Sequence, residues 1–354
     1  MNELGRGWKQ GDKFRPARDV EVRYGHQLVR DESSNWPPYI VVTGHTAWQT
    51  ASRYVARPPS GIGTVCMLDW GHLEEITSNL PDKAELVVGI GGGTALDAAK
   101  YVALRKDLPL RLVPTAVSTG AIIHGIFAKW DGRSTVGSAS EWPYCDIEHV
   151  LVDYSLVLEA PWYLNTAGLG DVLCMYSGVA EWEYNARNGS APALDEQAIR
   201  PTLEYYKSLT NDFPKTLGRD GTLTAESIRF IMTSVHERDD RQLQNPNTSE
   251  AGHLMTQVIE ESSQRGLIHG EMAALGSVFV CWATGHGDRM LQWLERTHVR
   301  YRPTEIGLSK RETRDALAHA PIYFAQRGLS TVLEREPITG SRFDEAWRFI
   351  EGNE

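Results

Sequence analysis

Three side chains in the second half of the chain are of the types that bind a divalent metal ion. Asp171 ends the run Gly-Leu-Gly-Asp, His253 ends Glu-Ala-Gly-His, and His269 lies in Ile-His-Gly-Glu. A carboxylate and two imidazoles suit zinc or iron, and three protein ligands leave positions for water or a substrate oxygen. Each residue alone also has a structural interpretation, since a helical Asp is usually a cap or surface charge and an isolated His is more often structural. By residue type, the three are candidate ligands of a catalytic metal.

A glycine-rich turn in the first half has the chemistry to hold a diphosphate. An apolar run over 86–90 leads into the three glycines of 91–93 and then, from Thr94, into a helical pattern. Glycines let the backbone approach phosphate oxygens, and the N–H groups at a helix start stabilise an anion. Thr94 is predicted to cap the helix, with Asp97 as the acidic partner of a capping box. The alternative is a tight turn without a ligand, since GGGT departs from the Rossmann pattern GxGxxG.

Alternating strand and helix patterns position this glycine turn. Short β-branched runs over 39–43, 63–68 and 85–90 are separated by helical patterns that begin near residues 47 and 73. Such alternation is typical of a parallel sheet covered by helices. The first part of the chain is therefore predicted to be a Rossmann-like α/β nucleotide-binding domain.

The candidate metal ligands lie in a part of the chain with a different pattern. From about Pro161, long amphipathic stretches follow one another, over 170–184, 224–235, 253–261 and 270–284. The segment 238–249, rich in Asp, Gln and Asn, is predicted to be an exposed loop. We therefore predict two domains, an α/β nucleotide-binding domain over 1–160 and an all-helical metal- and substrate-binding domain over 161–354.

Bulk composition restricts the class of protein. With 354 residues, of which 41% are hydrophobic, the chain is long enough for two domains with sizeable cores. The four cysteines show no CxxC spacing, the N-terminus is polar, and no run of about 18 apolar residues occurs. The net charge of −10 disfavours a nucleic-acid partner. A cytoplasmic protein with a small-molecule substrate, and with neither nucleic acid nor membrane as a partner, is expected.

The motifs together resemble the superfamily that holds iron-dependent alcohol dehydrogenase, glycerol dehydrogenase, glycerol-1-phosphate dehydrogenase and 3-dehydroquinate synthase. GIGGGTALDAAK is similar to its GGGxxxDxxK element, and PTAVST over 114–119 to its PTxxST strand and loop beside the nicotinamide. GLGD, GHLMTQVIEE and LIHGEMAALG are similar to its three metal-ligand motifs, in the same order. The resemblance extends from about Val41 to Ala320 and implies a dehydroquinate synthase-like fold.

The resemblance also assigns roles to residues. It implies that Asp171, His253 and His269 bind the metal and serve catalysis. It implies that the dinucleotide is bound by residues of both elements in the first half: Gly91, Gly92, Gly93, Thr94, Asp97, Thr115, Ser118 and Thr119. Members similar to glycerol-1-phosphate dehydrogenase share most with this chain, including the run Val-Leu-Val-Asp over 150–153.

The implied activity is that of a metal-dependent NAD(P)-linked dehydrogenase or reductase acting on a small polyol, polyol phosphate or corresponding ketone. In the family the metal polarises the substrate oxygen while the nicotinamide exchanges hydride at the same carbon. Zinc is the expected metal, with iron or nickel as alternatives, and a homo-oligomer is implied. NAD and NADP are both admissible, because Gly44 stands where NAD-specific relatives carry an Asp while Asp69 still favours NAD.

Two positions depart from the family pattern. Gly120 follows PTAVST where glycerol dehydrogenases usually carry an Asp that contacts the substrate hydroxyl, and Gln257 stands where members commonly have a proton-transferring His. Because glutamine is not a general base, His124 is the candidate for the proton relay. Two alternatives stay open: a dehydroquinate synthase-like cyclase, which GHLMTQVIEE and HGEMAALG also resemble although Gln257 counts against it, and a non-catalytic descendant that binds nucleotide and metal, supported by the two departures. For the cyclase, Lys129 and Arg133 are either phosphate contacts or solvated loop charges.

Overall fold

A computed structural model describes most of the chain. The described residues are 19–128, 130–131, 134–135, 145–241, 245, 247–263 and 266–352. Lys129 and Arg133, considered above as phosphate contacts, lie outside them. Within the described residues, no helix combines the length and the apolar character needed to cross a lipid bilayer.

A six-stranded parallel sheet forms the centre of the first part, in the strand order β1-β8-β5-β4-β2-β3. The strands are β1 (Glu21–Gly25), β2 (Tyr39–Thr43), β3 (Gly61–Thr64), β4 (Leu86–Gly91), β5 (Leu110–Pro114) and β8 (His149–Asp153), while β6 (Trp130–Asp131) and β7 (Ser134–Thr135) form a separate antiparallel pair. Every residue of β2, β4 and β8 is buried. Burial of alternating side chains shows that both faces of these strands are covered, as their continuous apolar sequences predict.

Among the described residues, four helices connect these strands, α1 (Leu28–Ser33), α2 (His45–Ala51), α3 (Trp70–Asn79) and α4 (Gly93–Lys106), and the short helix α5 (Tyr154–Val157) follows β8. A buried cluster against the sheet joins residues of α1, α2 and α5 to strands, and its members are Val29, Trp36, Tyr39, Val41, Ala51, Leu86, Val88, Ile90, Val113, Leu151 and Leu156. The apolar strand β4 ends where the glycine turn begins, so this core fixes the position of the turn.

In the part of the chain that the structure describes, ten further helices follow α5. They are α6 (Trp162–Leu173), α7 (Tyr176–Arg187), α8 (Glu196–Asp212), α9 (Ala225–Arg241), α10 (Ala251–Ser263), α11 (His269–Thr284), α12 (Gly287–Arg296), α13 (Lys310–Gln326), α14 (Val332–Arg335) and α15 (Gly340–Glu351). Helix α11 is buried over nearly its whole length and packs against α7, α10, α12, α14 and α15. An apolar helix surrounded on all sides is the core of this helical part.

The chain divides into two compact units. The first contains Met1–Asn165 and Thr222–Glu237, and the second contains Thr166–Gly221 and Arg238–Glu354. The prediction of one boundary, between residues 160 and 161, did not allow for the return of the chain to the first unit over 222–237. The amphipathic pattern of α9 is the same in either unit, so periodicity carries no information about which unit the helix joins.

The predicted fold class, a parallel α/β sheet followed by helices, is confirmed. The ends of two elements differ from the predicted ones by a few residues. Strand β3 begins and ends earlier than the run at 63–68, and α4 begins at Gly93, one residue before the predicted start. The loop predicted over 238–249 is wrong at its start, because α9 continues to Arg241.

Candidate metal centre and nucleotide-binding turn

The three predicted metal ligands meet within the second unit. Asp171 lies on α6, His253 in the first turn of α10, and His269 at the start of α11. The Nε2 atoms of the two histidines are 3.0 Å apart, and each is 3.5 Å from Oδ1 of Asp171. Two ligands of one tetrahedral zinc ion stand roughly 3.3 Å apart, given zinc–nitrogen bonds of about 2.0–2.1 Å. The residues therefore fit a single divalent ion.

Charges within the centre suit a cation. Burial favours the neutral acid at Asp171, but Arg238 and His269 outweigh it and hold the pKa of Asp171 well below its ordinary value. Burial, assisted by Arg238 and His269, lowers the pKa of His253 to about 3. At His269 burial also opposes charge, yet the hydrogen bond and the charge of Asp171 raise the pKa. Asp171 is anionic and His253 neutral, the forms in which these groups bind metals, whereas His269 has to release its proton when an ion binds.

Glycines allow the helices that carry the ligands to approach closely. A Cβ atom added to Gly170 would overlap the carbonyl oxygen of Gly270, which brings the residue before Asp171 against the residue after His269. A Cβ on Gly276 of α11 would likewise overlap the carbonyl oxygen of Gly252 on α10. Backbone therefore packs on backbone at both sides of the centre, and the lack of a side chain at Gly170 and Gly276 sets the distances between the helices that carry the ligands.

Replacement of Gly170 by alanine is expected to disturb the centre. The added methyl group must push α6 away from the start of α11, which costs about 1–3 kcal/mol of unfolding free energy and weakens metal binding. Gly266→Ala is the matched control, because nothing within the described residues lies within 4 Å of a Cβ there. Denaturant unfolding and metal titration measure both effects. Equal metal affinity in Gly170→Ala and Gly266→Ala would contradict this role of the glycine contact.

Two further residues support the ligands. Glu271 is buried and forms a paired contact with Arg300, at 2.6 Å from Nε and 3.0 Å from Nη2. Burial raises the pKa of Glu271, while Arg300 opposes that rise. The Glu of the HGE motif therefore anchors the first turn of α11, next to His269, rather than binding the ion.

Arg238 contacts the centre, a role that its sequence context does not predict. Its Nε donates a hydrogen bond of 3.1 Å to the main-chain oxygen of Asp171, and Nη2 lies 3.6 Å from Oδ1 of Asp171. Its assignment to an exposed loop hid this role, and no local signal marks one arginine in a polar segment as a partner of a distant helix.

The departure at Gln257 leaves a polar group on the same helix face as His253. The side-chain oxygen of Gln257 accepts a hydrogen bond from the Tyr323 hydroxyl. Three residues on, Glu260 is buried, and burial raises its pKa to about 7, with His269 opposing the rise. The spacing 253, 257 and 260 is helical and would have identified Glu260 as a neighbour of the ligands.

The glycine turn lies between β4 and α4, as predicted. Gly91 has a φ of 152°, and a Cβ there would stand 2.7 Å from Cβ of Ala95. A Cβ on Gly93 would stand 2.9 Å from the Thr119 methyl group, whereas no described atom lies within 4 Å of a Cβ position on Gly92. Two glycines are thus required by close packing, and the third leaves room beside the backbone where α4 begins. This arrangement fits an anionic group at the helix N-terminus.

The predicted capping box is wrong. Helix α4 begins at Gly93, with Gly92 as its N-cap and no side-chain cap bond, so Thr94 lies inside the first turn. Asp97 instead accepts hydrogen bonds from Lys100 Nζ at 2.7 Å and from the Ala128 N–H at 3.1 Å. Because both partners belong to the protein, the carboxylate of Asp97 stabilises the fold next to the turn and contacts protein groups in place of the predicted dinucleotide.

The segment after β5 lies against the glycine turn. The Thr115 N–H donates to the Gly91 carbonyl oxygen at 3.0 Å, and Thr119 is the residue beside Gly93. Thr115, Ser118 and Thr119 are half-exposed, whereas the two residues between them at 116 and 117 are buried. The polar residues assigned to the dinucleotide therefore lie on the open side of this segment.

Gly120 and His124 are coupled by packing. A Cβ on Gly120 would stand 2.9 Å from Cδ2 and 3.1 Å from Nε2 of His124. The glycine that departs from the family pattern thus makes room for the ring of the candidate proton relay.

Asp69, considered as a determinant of NAD preference, accepts hydrogen bonds from the backbone N–H groups of Gly71 and His72 and caps α3.

Comparisons with known proteins agree with this site. Residues 21–161 match the model of the family described as iron-containing alcohol dehydrogenase. A glycerol-1-phosphate dehydrogenase (NAD(P)+) of Thermoplasma volcanium is 25% identical over 86% of this chain and 88% of its own length. One from Saccharolobus solfataricus is 23% identical over 84% of this chain and 87% of its own.

Solved structures share the fold. A probable glycerol dehydrogenase from Sinorhizobium meliloti 1021 superimposes with a TM-score of 0.65 and 17% identity, covering 94% of this chain and 97% of that one. A maleylacetate reductase from Agrobacterium tumefaciens gives a TM-score of 0.62 and 15% identity, covering 97% and 99% of the two chains. The chain thus has the fold of these dehydrogenases, and its residues 21–161, which contain the glycine turn, match the iron-containing alcohol dehydrogenase model.

Proposed function

We propose that this protein is a metal-dependent NAD(P)-linked dehydrogenase or reductase that acts on a small polyol, a polyol phosphate or the corresponding ketone. The observation that carries the proposal is the convergence of Asp171, His253 and His269 at distances that suit one divalent ion. The relatives named glycerol-1-phosphate dehydrogenase support the polyol phosphate as a substrate.

Each unit supplies one part of the chemistry. Asp171, His253 and His269 would hold the ion, whose charge, when bound, favours negative charge on the substrate oxygen. The glycine turn and the polar residues of 115–119 would hold the dinucleotide, which carries the hydride. Zinc is the ion we propose, and NAD or NADP the dinucleotide. Gln257 positions its neighbour Tyr323 but moves no proton.

His124 is proposed as the proton relay. Its ring is half-exposed and is accommodated by Gly120, in the loop that follows the nicotinamide-side segment of the family. An imidazole exchanges protons near neutral pH, which the glutamine at 257 does not. We further propose that the protein is a cytoplasmic homo-oligomer with a small-molecule substrate and neither nucleic acid nor membrane as a partner.

The test is nicotinamide absorbance in the zinc-loaded protein. NAD and NADP are each combined with a panel of glycerol, glycerol 1-phosphate and other polyols, and the reduced cofactors with the matching ketones. Growth or loss of the reduced-nicotinamide band with a panel member is expected. Dinucleotide binding without hydride transfer to any member would contradict the proposal and favour a cyclase or a non-catalytic protein.

The same assay tests the relay. His124→Phe should lower turnover by about a hundredfold, the usual contribution of a general acid or base, while dinucleotide affinity stays near that of the wild type. His45→Phe, at an exposed histidine of the same unit, is the control. An unchanged rate in His124→Phe would remove the residue from the reaction.

A further inference from the structure

A cavity lies between α8 and α12 of the second unit, and its lining includes none of the metal ligands. Its volume is about 390 Å³, within the range of roughly 300–1,000 Å³ for small-molecule sites. Its residues on α12 fall at 289, 292, 293 and 296, and those on α8 at 203, 207, 210 and 211. This spacing places one face of each helix along the cavity.

Positive charge is concentrated in this cavity. Lys207, Arg289 and Arg296 line it, and none of its lining residues is acidic. The carboxamides of Asn211 and Gln292 add N–H donors. In a chain with a net charge of −10, three cations around one concave surface repel one another unless an anion lies between them.

Arg289 is held in place by buried partners. Its Nη1 donates a hydrogen bond of 2.7 Å to the Tyr176 hydroxyl, which also lies 2.8 Å from Nδ1 of His286. Tyr176 is buried, and burial raises its pKa to about 12, so the hydroxyl is neutral at physiological pH. The Tyr176 contact therefore orients the guanidinium without neutralising its charge.

Arg296 and Trp293 complete a prepared surface. Nε of Arg296 donates a hydrogen bond of 3.2 Å to the carbonyl oxygen of Thr210, which joins α12 to α8. The indole of Trp293 packs edge-on against Tyr176, with ring centres 4.8 Å apart. With Nε engaged, the terminal nitrogens of Arg296 remain for a fork-like contact with an oxyanion, and Trp293 offers a fixed aromatic wall.

We propose that this cavity binds the phosphate group of a small metabolite, with Lys207, Arg289 and Arg296 contacting the phosphate and Trp293 the rest of the molecule. The site is separate from the proposed dehydrogenase centre and does not depend on it. Phosphate is favoured among anions because a compact group with several oxygens meets three cations and two carboxamides at once.

Calorimetric titration of the full-length, zinc-loaded protein with inorganic phosphate at low ionic strength tests the site. Lys207→Gln and Arg296→Gln should each weaken binding about tenfold, the loss of one charge-assisted hydrogen bond. Arg311→Gln, at an exposed arginine of α13, is the control and should bind like the wild type. Because phosphate can also bind at the glycine turn or the metal, the difference between wild type and variants isolates this cavity.

Two further experiments distinguish a phosphorylated metabolite from free phosphate and locate the bound anion. Ribose 5-phosphate that binds more tightly than phosphate, with the gain lost in Trp293→Leu, identifies a phosphorylated metabolite, whereas equal binding identifies free phosphate. A crystal soaked in tungstate should show density between Arg289 and Arg296, and this needs no variant. Equal phosphate affinity in the wild type and in a Lys207→Gln, Arg296→Gln double variant would overturn the proposal. The proposal would also be overturned if the wild type bound no phosphate and the double variant had an altered sedimentation coefficient. That result would make the cavity a contact between copies of the chain.

Discussion

Asp171→Ala, His253→Ala and His269→Ala are each expected to leave the purified protein without its divalent ion and to lower turnover about a thousandfold. The three ligand atoms lie 3.0 to 3.5 Å apart, so they bind one ion together, and two protein ligands hold it poorly. Elemental analysis after dialysis and the nicotinamide assay measure the two effects.

The control for the ligand variants is His298→Asn. His298 is an exposed histidine of the same unit with a left-handed φ of 55°, which asparagine tolerates. It should retain the full metal content and rate. Circular dichroism separates loss of the ion from loss of the fold. Full metal content in all three ligand variants would refute the assignment of the centre.

Lys100→Met is expected to lower the unfolding free energy by about 3–5 kcal/mol, the usual cost of breaking a buried ion pair. Nζ of Lys100 is fully buried and donates to Asp97 at 2.7 Å and to the carbonyl oxygens of Ala121 and Ile126 at 2.6 and 3.1 Å. Removing the ammonium leaves a buried carboxylate and two carbonyl oxygens without that donor. Because the loop it holds follows Thr119, dinucleotide affinity should fall as well.

A pair with the same spacing serves as the control. Lys215 and Asp212 are also three residues apart, but the Lys215 side chain is 72% exposed, so Lys215→Met should change stability by less than about 1 kcal/mol. Asp97→Asn combined with Lys100→Met should recover part of the loss, because the uncompensated charge is gone. Denaturant unfolding measures all three variants. A Lys100→Met protein as stable as Lys215→Met would contradict the role of the pair.

Much of the fold and the metal centre was predictable because the signals are local. Short stretches carry these signals, and their residue types indicate burial, a tight turn or metal binding. They are the apolar runs of β2 and β4, the glycines after β4 and the motifs around Asp171, His253 and His269. His269 and Gly270 are adjacent in the sequence, so one motif contains both the ligand and the glycine beside it. The three motifs are also similar in type and order to those of the family.

Other features were not predictable because they depend on distant contacts. The capping box failed at Asp97, since its carboxylate is bound by Lys100 and Ala128 in the folded protein. The return of residues 222–237 to the first unit and the contact of Arg238 with Asp171 depend on which helix faces are adjacent. Periodicity states that a helix has a buried face but not what covers it.

The backbone contacts at Gly170 and Gly276 have a consequence for how such an enzyme changes over time. Since main-chain atoms rather than side chains separate α6, α10 and α11, the ligand positions are insulated from substitutions elsewhere around the centre. A position such as Gln257, on the same helix as His253, can then vary while the three ligands keep their places. The fold thereby allows substrate specificity to change during evolution while the metal ligands are retained.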